Sequence, residues 1–337
     1  MRLSDLGEFA VLDQFVLPRA SRLGALVGGD CARVPVGAIG DLIISSDKGN
    51  VPLVWSLPEY ATRYTDMGWL TAIAGISDLA TCGATPICAT NNIVAPRDFL
   101  VEDLESFVSG FCDALECYGF RHGGGDLSEG TAFSVSSTFV GVSDQVPTKN
   151  RKPTSGKVVV IGELGTFAAA FCKARELGFS SLSAEEVMLL TKPEVPYQLM
   201  SQIHEAGVVE ETTDASDGIH TAVRILSQRT RSKVAIDLGS IGYAEQVSKA
   251  SELVGIRPEQ LGFAWGNWQP VLFVPDEEWS RFYALVSNKQ IQLLGTYESG
   301  LPSITYYRDR RKVDFEATNN EAFSEHSYAK NTKLPFL

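Results

Sequence analysis

The chain has 337 residues, of which 44% are hydrophobic and 21% are charged, enough to bury more than one hydrophobic core. Its formal net charge of −12 gives no long-range attraction for phosphate backbones or anionic lipid, which argues against nucleic acid and membranes as partners. No apolar run reaches the roughly 18 residues of a membrane span and the acidic N-terminus lacks a signal pattern, so we expect a cytoplasmic protein.

The first half of the sequence interleaves strand and helix patterns. In chain order the patterns predict a strand over 41–46, a helix over 67–82, a strand over 87–94, a helix over 101–118 and a strand over 131–142. Both helices are followed by a glycine, Gly83 and Gly119, which is typical of a helix end. These elements predict a mixed α/β N-terminal domain.

A polar segment over 143–156, rich in Pro, Ser, Thr and basic residues, separates this half from a second α/β pattern. We therefore predict two domains, 1–147 and 148–337. The second pattern predicts strands over 157–161, 234–238 and 270–274, and helices over 166–177, 197–206 and 217–228. The last twenty residues are mostly polar and predict a loosely ordered tail.

The common nucleotide-binding motifs are missing from the sequence. Gly156-Lys157, the nearest approach to a P-loop, continues into a strand instead of a helix, and no Gly-x-Gly-x-x-Gly follows a strand. An acidic protein that binds an anionic nucleotide without a P-loop lysine needs a local source of attraction. Divalent cations held between carboxylates and phosphate oxygens are the simplest source.

Aspartates beside glycine or serine recur along the chain and suit that chemistry, because aspartate is a short, hard oxygen ligand for Mg²⁺ and glycine allows close backbone approach. The segments are Gly28-Gly29-Asp30, Ser45-Ser46-Asp47, Ser77-Asp78, Gly123-Gly124-Gly125-Asp126 and Asp214-Ala215-Ser216-Asp217-Gly218. Asp78 lies in a predicted helix among small residues, and Asp217 lies at a predicted helix N-terminus, where free N–H groups can bind phosphate. Each segment alone could equally be a turn or a helix cap.

In combination these segments resemble the superfamily of thiamine-monophosphate kinase, aminoimidazole ribonucleotide synthetase, selenophosphate synthetase and the carbamoyl-dehydrating hydrogenase maturation protein. Residues 76–86 (ISDLATCGATP) resemble the kinase motif Asn-x-Ser-Asp-x-Ala-x-Met-Gly-Ala-x-Pro. Residues 124–126 resemble Gly-Gly-Asp-Thr, and 214–219 (DASDGI) resemble Asp-Ile-Ser-Asp-Gly-Leu. The matches follow the family's order, from about Gly28 to Val274.

The resemblance implies an N-terminal sheet domain that binds ATP and Mg²⁺ and forms a barrel across a homodimer, with a C-terminal α/β domain over ATP. It implies metal ligation by Asp30, Ser46, Asp47, Asp78, Asp126 and Asp217. It also implies nucleotide contacts from Gly124, Gly125, Asp126, Arg151 and Ser216, and catalytic roles for Asp126 and Asp217. Phosphoryl transfer depends mostly on positioning and charge neutralisation, so carboxylate-held Mg²⁺ can replace a P-loop lysine.

Departures from the family pattern concentrate on the acceptor side. Gly29 stands where the family has a first aspartate, and Trp265-Gly266-Asn267-Trp268 stands where it has Gly-Gly-Glu-Asp-Tyr. The Arg-Pro-x-Pro-Arg segment becomes 192–196 (KPEVP), without either arginine. These changes predict an acceptor other than thiamine monophosphate, contacted by Trp55, Asn267 and Trp268, although the tryptophans could equally be core residues.

Three functional hypotheses remain open at this stage. The first is an ATP-dependent kinase that phosphorylates a small molecule. The second is a synthetase that activates an amide or carboxyl oxygen by transient phosphorylation. The third is a non-catalytic scaffold of the same fold, suggested by the acidic groups absent at Gly29 and Asn267. The identity of the acceptor and the number of metal ions stay open.

Overall fold

The computed structural model describes residues 5–6, 8–16, 18, 31–36, 40–144, 155–286 and 290–316. The predicted domain boundary at 147/148 and the predicted polar tail after 317 lie outside these residues. A helical turn, Glu8–Val11, and a π-helical turn, Leu12–Val16, precede the first sheet.

Nine α-helices of the described ranges follow these turns. They are α1 Tyr64–Thr81, α2 Val101–Tyr118, α3 Thr166–Leu177, α4 Ala184–Thr191, α5 Tyr197–Ala206, α6 Ile219–Thr230, α7 Glu245–Val254, α8 Pro258–Gly262 and α9 Trp279–Val286. Short 3₁₀ turns lie at Leu53–Ser56, Phe179–Ser181 and Asp276–Glu278. None of the described helices combines the length and hydrophobicity that a membrane span requires.

Five strands form the first sheet, in the order β1-β2-β5-β3-β4. They are β1 Ala32–Pro35, β2 Asp41–Lys48, β3 Thr85–Ala95, β4 Arg121–Glu129 and β5 Ser134–Ser143. Only the β3–β4 pair is parallel. Helices α1 and α2 pack against each other, and α1 also contacts β2 and β5, so the inward side chains of this sheet are buried beneath α1.

Seven strands form the second sheet, in the order β12-β11-β8-β10-β6-β9-β7. They are β6 Gly156–Ile161, β7 Glu211–Asp214, β8 Ser232–Asp237, β9 Pro270–Pro275, β10 Ile291–Ser299, β11 Ser303–Arg308 and β12 Arg311–Val313. This sheet is also mixed, because β11 and β8 are parallel while β6 is antiparallel to both of its neighbours. All six residues of β9 are buried, so both faces of the sheet are covered there.

The two sheets share one hydrophobic core around α1. Ile43 and Phe139 from the first sheet and Val159 and Leu272 from the second all belong to the buried cluster that contains Ile76 of α1. Because α1 carries Asp78, the residue predicted to bind metal lies on an element fixed from both sides. The mixed α/β class predicted from the sequence is confirmed.

Candidate active site

Asp47 and Asp78 lie close together around Ser45. Asp47 is on β2 and Asp78 is in the last turn of α1. Ser45 Oγ donates to Asp78 Oδ2 at 2.5 Å and lies 3.4 Å from Asp47 Oδ2. Ser45 is buried, whereas both carboxylates are only partly buried. The structure therefore places two carboxylates beside one hydroxyl at the edge of the core.

Ser45, not Ser46, is the serine that contacts these aspartates. Neighbouring residues of a strand point to opposite faces, so Ser46 faces away, and its Oγ lies 3.1 Å from Thr138 Oγ1. The sequence carried this signal, because Ser45 shares a face with Ile43 in the predicted strand over 41–46, and Asp47 continues the same alternation.

Gly124, Gly125 and Asp126 lie within β4, an exposed edge strand of the first sheet. Gly125 has a positive φ of 155°, and a Cβ at this position would overlap the Asn91 backbone, so only glycine allows β4 to approach β3 here. In the sheet register, Asp126 of β4 pairs with Asn92 of β3. Asp47 of β2 pairs with Ser137 of β5, and Ser137 pairs with Asn91 of β3, the neighbour of Asn92. Asp126 and Asp47 thus belong to opposite faces of the sheet.

The 214–218 segment forms a tight turn between β7 and α6. Ser216 Oγ and its backbone N–H both donate to Asp214 Oδ1, at 2.8 and 3.2 Å. Gly218, with a φ of 96°, precedes the helix, which begins at Ile219. The helix start predicted at 217 is therefore wrong by two residues, and Asp217 lies in the turn before the helix.

One buried hydrogen bond ties this turn to the helix of Asp78. Thr212 Oγ1 on β7 donates to the Thr81 carbonyl at the end of α1. Thr81 is one helical turn from Asp78, and Asp214 is two residues beyond Thr212. The strand that leads into the 214–218 turn is thus fixed to the end of the helix that carries Asp78.

A cavity of about 550 Å³ adjoins the turn on the side of the second sheet. Asn267 and Trp268 line it, and the preceding Gly266 N–H donates to the Ser216 carbonyl at 3.1 Å. Trp55 is not among the lining residues; it makes an edge contact with the Tyr64 ring at 5.2 Å. Of the three predicted acceptor contacts, Asn267 and Trp268 therefore lie together and Trp55 lies apart.

Two of the predicted site residues, Asp30 and Arg151, lie outside the described residues. Among the residues that the structure does describe, no three His, Cys, Asp or Glu side chains come close enough to form a metal site. The geometry thus brings together Asp47 and Asp78 and leaves Asp126 on the other face of the sheet.

Comparison with known proteins supports the family assignment. Residues 28–143 match the model of the AIR synthase related protein N-terminal domain. The thiamine-monophosphate kinase of Halobacterium salinarum is 28% identical over 75% of this chain and 83% of its own length.

Solved structures share the fold over nearly the whole chain. A ThiL protein complexed with AMPPCP and TMP superposes with a TM-score of 0.77 at 22% identity, covering 94% of this chain and 97% of that one. HypE of E. coli, a hydrogenase maturation protein, gives a TM-score of 0.65 at 17% identity, covering 92% and 98%. The resemblance indicated by the aspartate motifs is confirmed.

Proposed function

We propose that this chain, a thiamine-monophosphate kinase-like member of the AIR synthase-related superfamily, is an ATP-dependent transferase that phosphorylates a small-molecule acceptor. The curated relative carries the name of such a kinase, and the ThiL structure contains AMPPCP, an ATP analogue, together with TMP. The acceptor of this chain remains to be identified. The cytoplasmic location stays a prediction from the sequence.

The observation that carries the proposal is the pairing of Asp47 and Asp78 around Ser45, on a helix whose end is hydrogen-bonded to the strand that leads into the 214–218 turn. Mg²⁺ bound with a nucleotide usually takes one or two carboxylates and completes its shell with phosphate oxygens and water. Two partly buried carboxylates, Asp47 and Asp78, fit this requirement. When bound, Mg²⁺ would neutralise charge on the transferred phosphoryl group.

In the proposed function, a homodimer gives a role to Asp126, Gly124 and Gly125. The outer face of the first sheet, to which Asp126 belongs, carries half-buried apolar side chains at Ile44 and Val140. A second copy packed on this face would bring Asp126 into an enclosed environment without changing the fold of either subunit. We therefore assign Asp126 to a part of the nucleotide site that is completed on dimerisation, with Asp30 and Arg151 as further candidates.

The cavity beside Ser216 is the proposed acceptor site. Trp268 offers an aromatic surface and Asn267 offers an amide, whereas the family pattern has acidic residues in this segment. A phosphoryl group held at the 214–218 turn would lie at the mouth of this cavity. The altered lining supports an acceptor other than thiamine monophosphate.

ADP formation by the purified protein tests the proposal directly. With Mg²⁺, ATP and a metabolite extract, we expect ADP and a phosphorylated product. Asp78→Asn should lower turnover by about a hundredfold or more, because it removes a metal-facing charge without changing side-chain volume. Asp113→Asn, an equivalent change at an exposed position of α2, is the matched control and should keep full turnover.

Equal turnover in the Asp78→Asn and Asp113→Asn variants would show that the metal site is misassigned. Absence of any ADP in the wild type would instead favour the scaffold hypothesis.

A synthetase is the second candidate, because HypE shares the fold and the acceptor segment departs from the kinase pattern. The two reactions differ in the fate of the acceptor oxygen. In a synthetase, ¹⁸O from an amide or carboxyl group of the acceptor would appear in inorganic phosphate. In a kinase the label would remain in the phosphorylated product.

A further inference from the structure

The outer face of the first sheet changes from apolar to polar along its strands. In the register, Val140 of β5 lies between Ile44 of β2 and Cys88 of β3, and all three are half-buried. Side chains of one face recur every second residue, so the next row on this face lies two residues along each strand. That row consists of hydroxyl side chains, those of Ser46, Thr138 and Thr90. The apolar part of this face therefore borders a hydroxyl-lined surface.

A third row crosses the same face, with a cation at one end and a carboxylate at the other. Lys48 of β2 pairs with Ser136 of β5, which pairs with Asn92 of β3. Asn92 pairs in turn with Asp126 of β4, and all four side chains are exposed. Adjacent strands lie about 4.8 Å apart, so the backbones of Lys48 and Asp126 are about 14 Å apart. Neither residue forms an ion pair within the part of the chain that the structure describes.

Glycines of β4 leave the far end of the hydroxyl row open. In the β3–β4 register Gly123 and Gly124 both fall opposite Thr90, which makes a bulge. A Cβ at Gly123 would lie 3.1 Å from Thr90 Cγ2, and a Cβ at Gly124 would meet no atom within 4 Å. Since neither position carries a side chain, a ligand beside the hydroxyl row can come close to the backbone of β4.

The two charged ends of the third row limit the kind of ligand that fits. Lys48 attracts an anion, whereas Asp126 repels an anion unless a divalent cation lies between them. The hydroxyl groups of the neighbouring row can donate hydrogen bonds to phosphate oxygens. A polyphosphate with a bound metal ion meets these conditions, because it offers anionic oxygens to Lys48 and a divalent cation to Asp126. A ligand that is cationic throughout would be repelled by Lys48.

We propose that Lys48 binds a phosphate of the nucleotide, and that the hydroxyl row lies along the phosphate chain between Lys48 and Asp126. Lys48 thus supplies, from the end of β2, a positive charge of the kind that a P-loop lysine supplies to a phosphate. This inference rests on the proposed function for the identity of the ligand as ATP. Its test measures binding without turnover, so the two can fail separately.

Isothermal titration calorimetry with Mg²⁺ and the ATP analogue AMPPCP measures the affinity of the full-length protein. Lys48→Met removes the charge from an exposed position and should weaken binding by about tenfold or more, because a charge-assisted contact to phosphate is lost. Lys48→Arg keeps a positive charge and should bind within about threefold of the wild type. Wild-type affinity in Lys48→Met, or no binding of AMPPCP by the wild type, would overturn the proposal.

A control variant and a second probe make the test specific for phosphate. Lys312→Met removes the same charge from an exposed position of β12 in the second sheet and should weaken AMPPCP binding less than about twofold. Equal weakening in Lys312→Met and Lys48→Met would overturn the assignment to Lys48. Inorganic tripolyphosphate with Mg²⁺ should displace AMPPCP from the wild type more readily than from Lys48→Met. No displacement from the wild type, or equal displacement from both proteins, would contradict a contact between Lys48 and phosphate.

Thr138→Val tests the hydroxyl row, because it removes one hydroxyl group with little change in side-chain volume. It should weaken AMPPCP binding by about threefold, as expected for the loss of one hydrogen bond. Unchanged affinity would remove the hydroxyl row from the site and leave the phosphate contact to Lys48 alone.

The ADP assay separates this inference from the proposed function. A wild type that binds AMPPCP through Lys48 but forms no ADP would retain the phosphate site and refute the kinase proposal. ADP formation together with wild-type AMPPCP affinity in Lys48→Met would support the kinase proposal and refute the role of Lys48.

Discussion

At the scale of single residues, His204 links protonation to stability. It lies on α5 against Gly83, where a Cβ would overlap its ring, and its Nε2 is 3.4 Å from Thr212 Oγ1. Burial lowers the pKa of His204 to about 4, with a smaller contribution from the nearby Arg33 charge and against the opposing effect of a hydrogen bond to the Thr81 backbone. An unfolded histidine has a pKa near 6.5, so between these values the unfolded chain binds the additional proton.

The free energy of unfolding should therefore fall as pH falls from about 6.5 to about 4, by up to about 1.4 kcal/mol per unit from this residue. His204→Gln removes the titrating group, so over this pH window the free energy of unfolding of the variant should fall by about 2 kcal/mol less than that of the wild type. Urea denaturation of both proteins at pH 6.5, 5.5 and 4.5 measures the difference. Parallel losses in the two proteins would show that His204 does not contribute.

Individual site residues were predictable where residue type alone limits the role. Asp47 and Asp78 could be selected because carboxylates beside small residues suit a metal, and the structure brings them together. The contact through Ser45 was missed in favour of Ser46, since the assignment followed the family resemblance instead of the strand alternation that places Ser45 on the face of Ile43. The opposite orientation of Asp126 was also missed, because it depends on the β3–β4 register.

At the scale of elements, α1 is held on the first sheet by close glycine contacts. Gly75 faces the fully buried Phe139 ring of β5, and a Cβ at Gly75 would overlap that ring. Gly75→Ala should destabilise the protein by a net of about 1–2 kcal/mol, since overpacking exceeds the gain in helix propensity. It should also reduce ATP turnover, because a displaced α1 moves Asp78 away from Ser45.

Gly242→Ala is the matched control for this prediction. No atom lies within 4 Å of a Cβ added at Gly242. Its effect on the free energy of unfolding, measured by urea denaturation, should stay within about 0.5 kcal/mol. Comparable destabilisation by both substitutions would contradict the packing argument.

Elements with strong periodicity were predicted well and those without it were not. The helices over 101–118, 166–177 and 197–206 match the observed bounds of α2, α3 and α5, since each has a regular apolar stripe and a glycine after its last residue. The strand β4 was not predicted, because its RHGGGDLSE sequence is polar and glycine-rich and every residue of it is exposed. β4 pairs with β3, and a pairing between strands that are far apart in sequence leaves no local sequence pattern.

At the scale of the whole molecule, the first sheet has one face covered by helices and one face without helices among the described residues. On the uncovered face Val140 lies opposite Ile44, and both are half-buried. Asp126 belongs to the same face, because it pairs with Asn92 of β3, and Asn92 pairs with Ser136, which shares a face of β5 with Val140. The proposed homodimer would bury the apolar part of this face and enclose Asp126.

Val140→Lys should therefore convert the proposed homodimer to a monomer, because it would place a charge in the proposed interface. Analytical ultracentrifugation measures the mass, and circular dichroism checks that the fold is retained. Leu100→Lys is the control, since Leu100 is 60% exposed at the start of α2, away from the sheet, and should leave the dimer intact. If Asp126 acts within the dimer, the monomeric variant should also lose ATP turnover while keeping the Asp47–Asp78 pair. If the wild type is a monomer, or if the monomeric variant keeps full turnover, then dimerisation does not contribute to the proposed site.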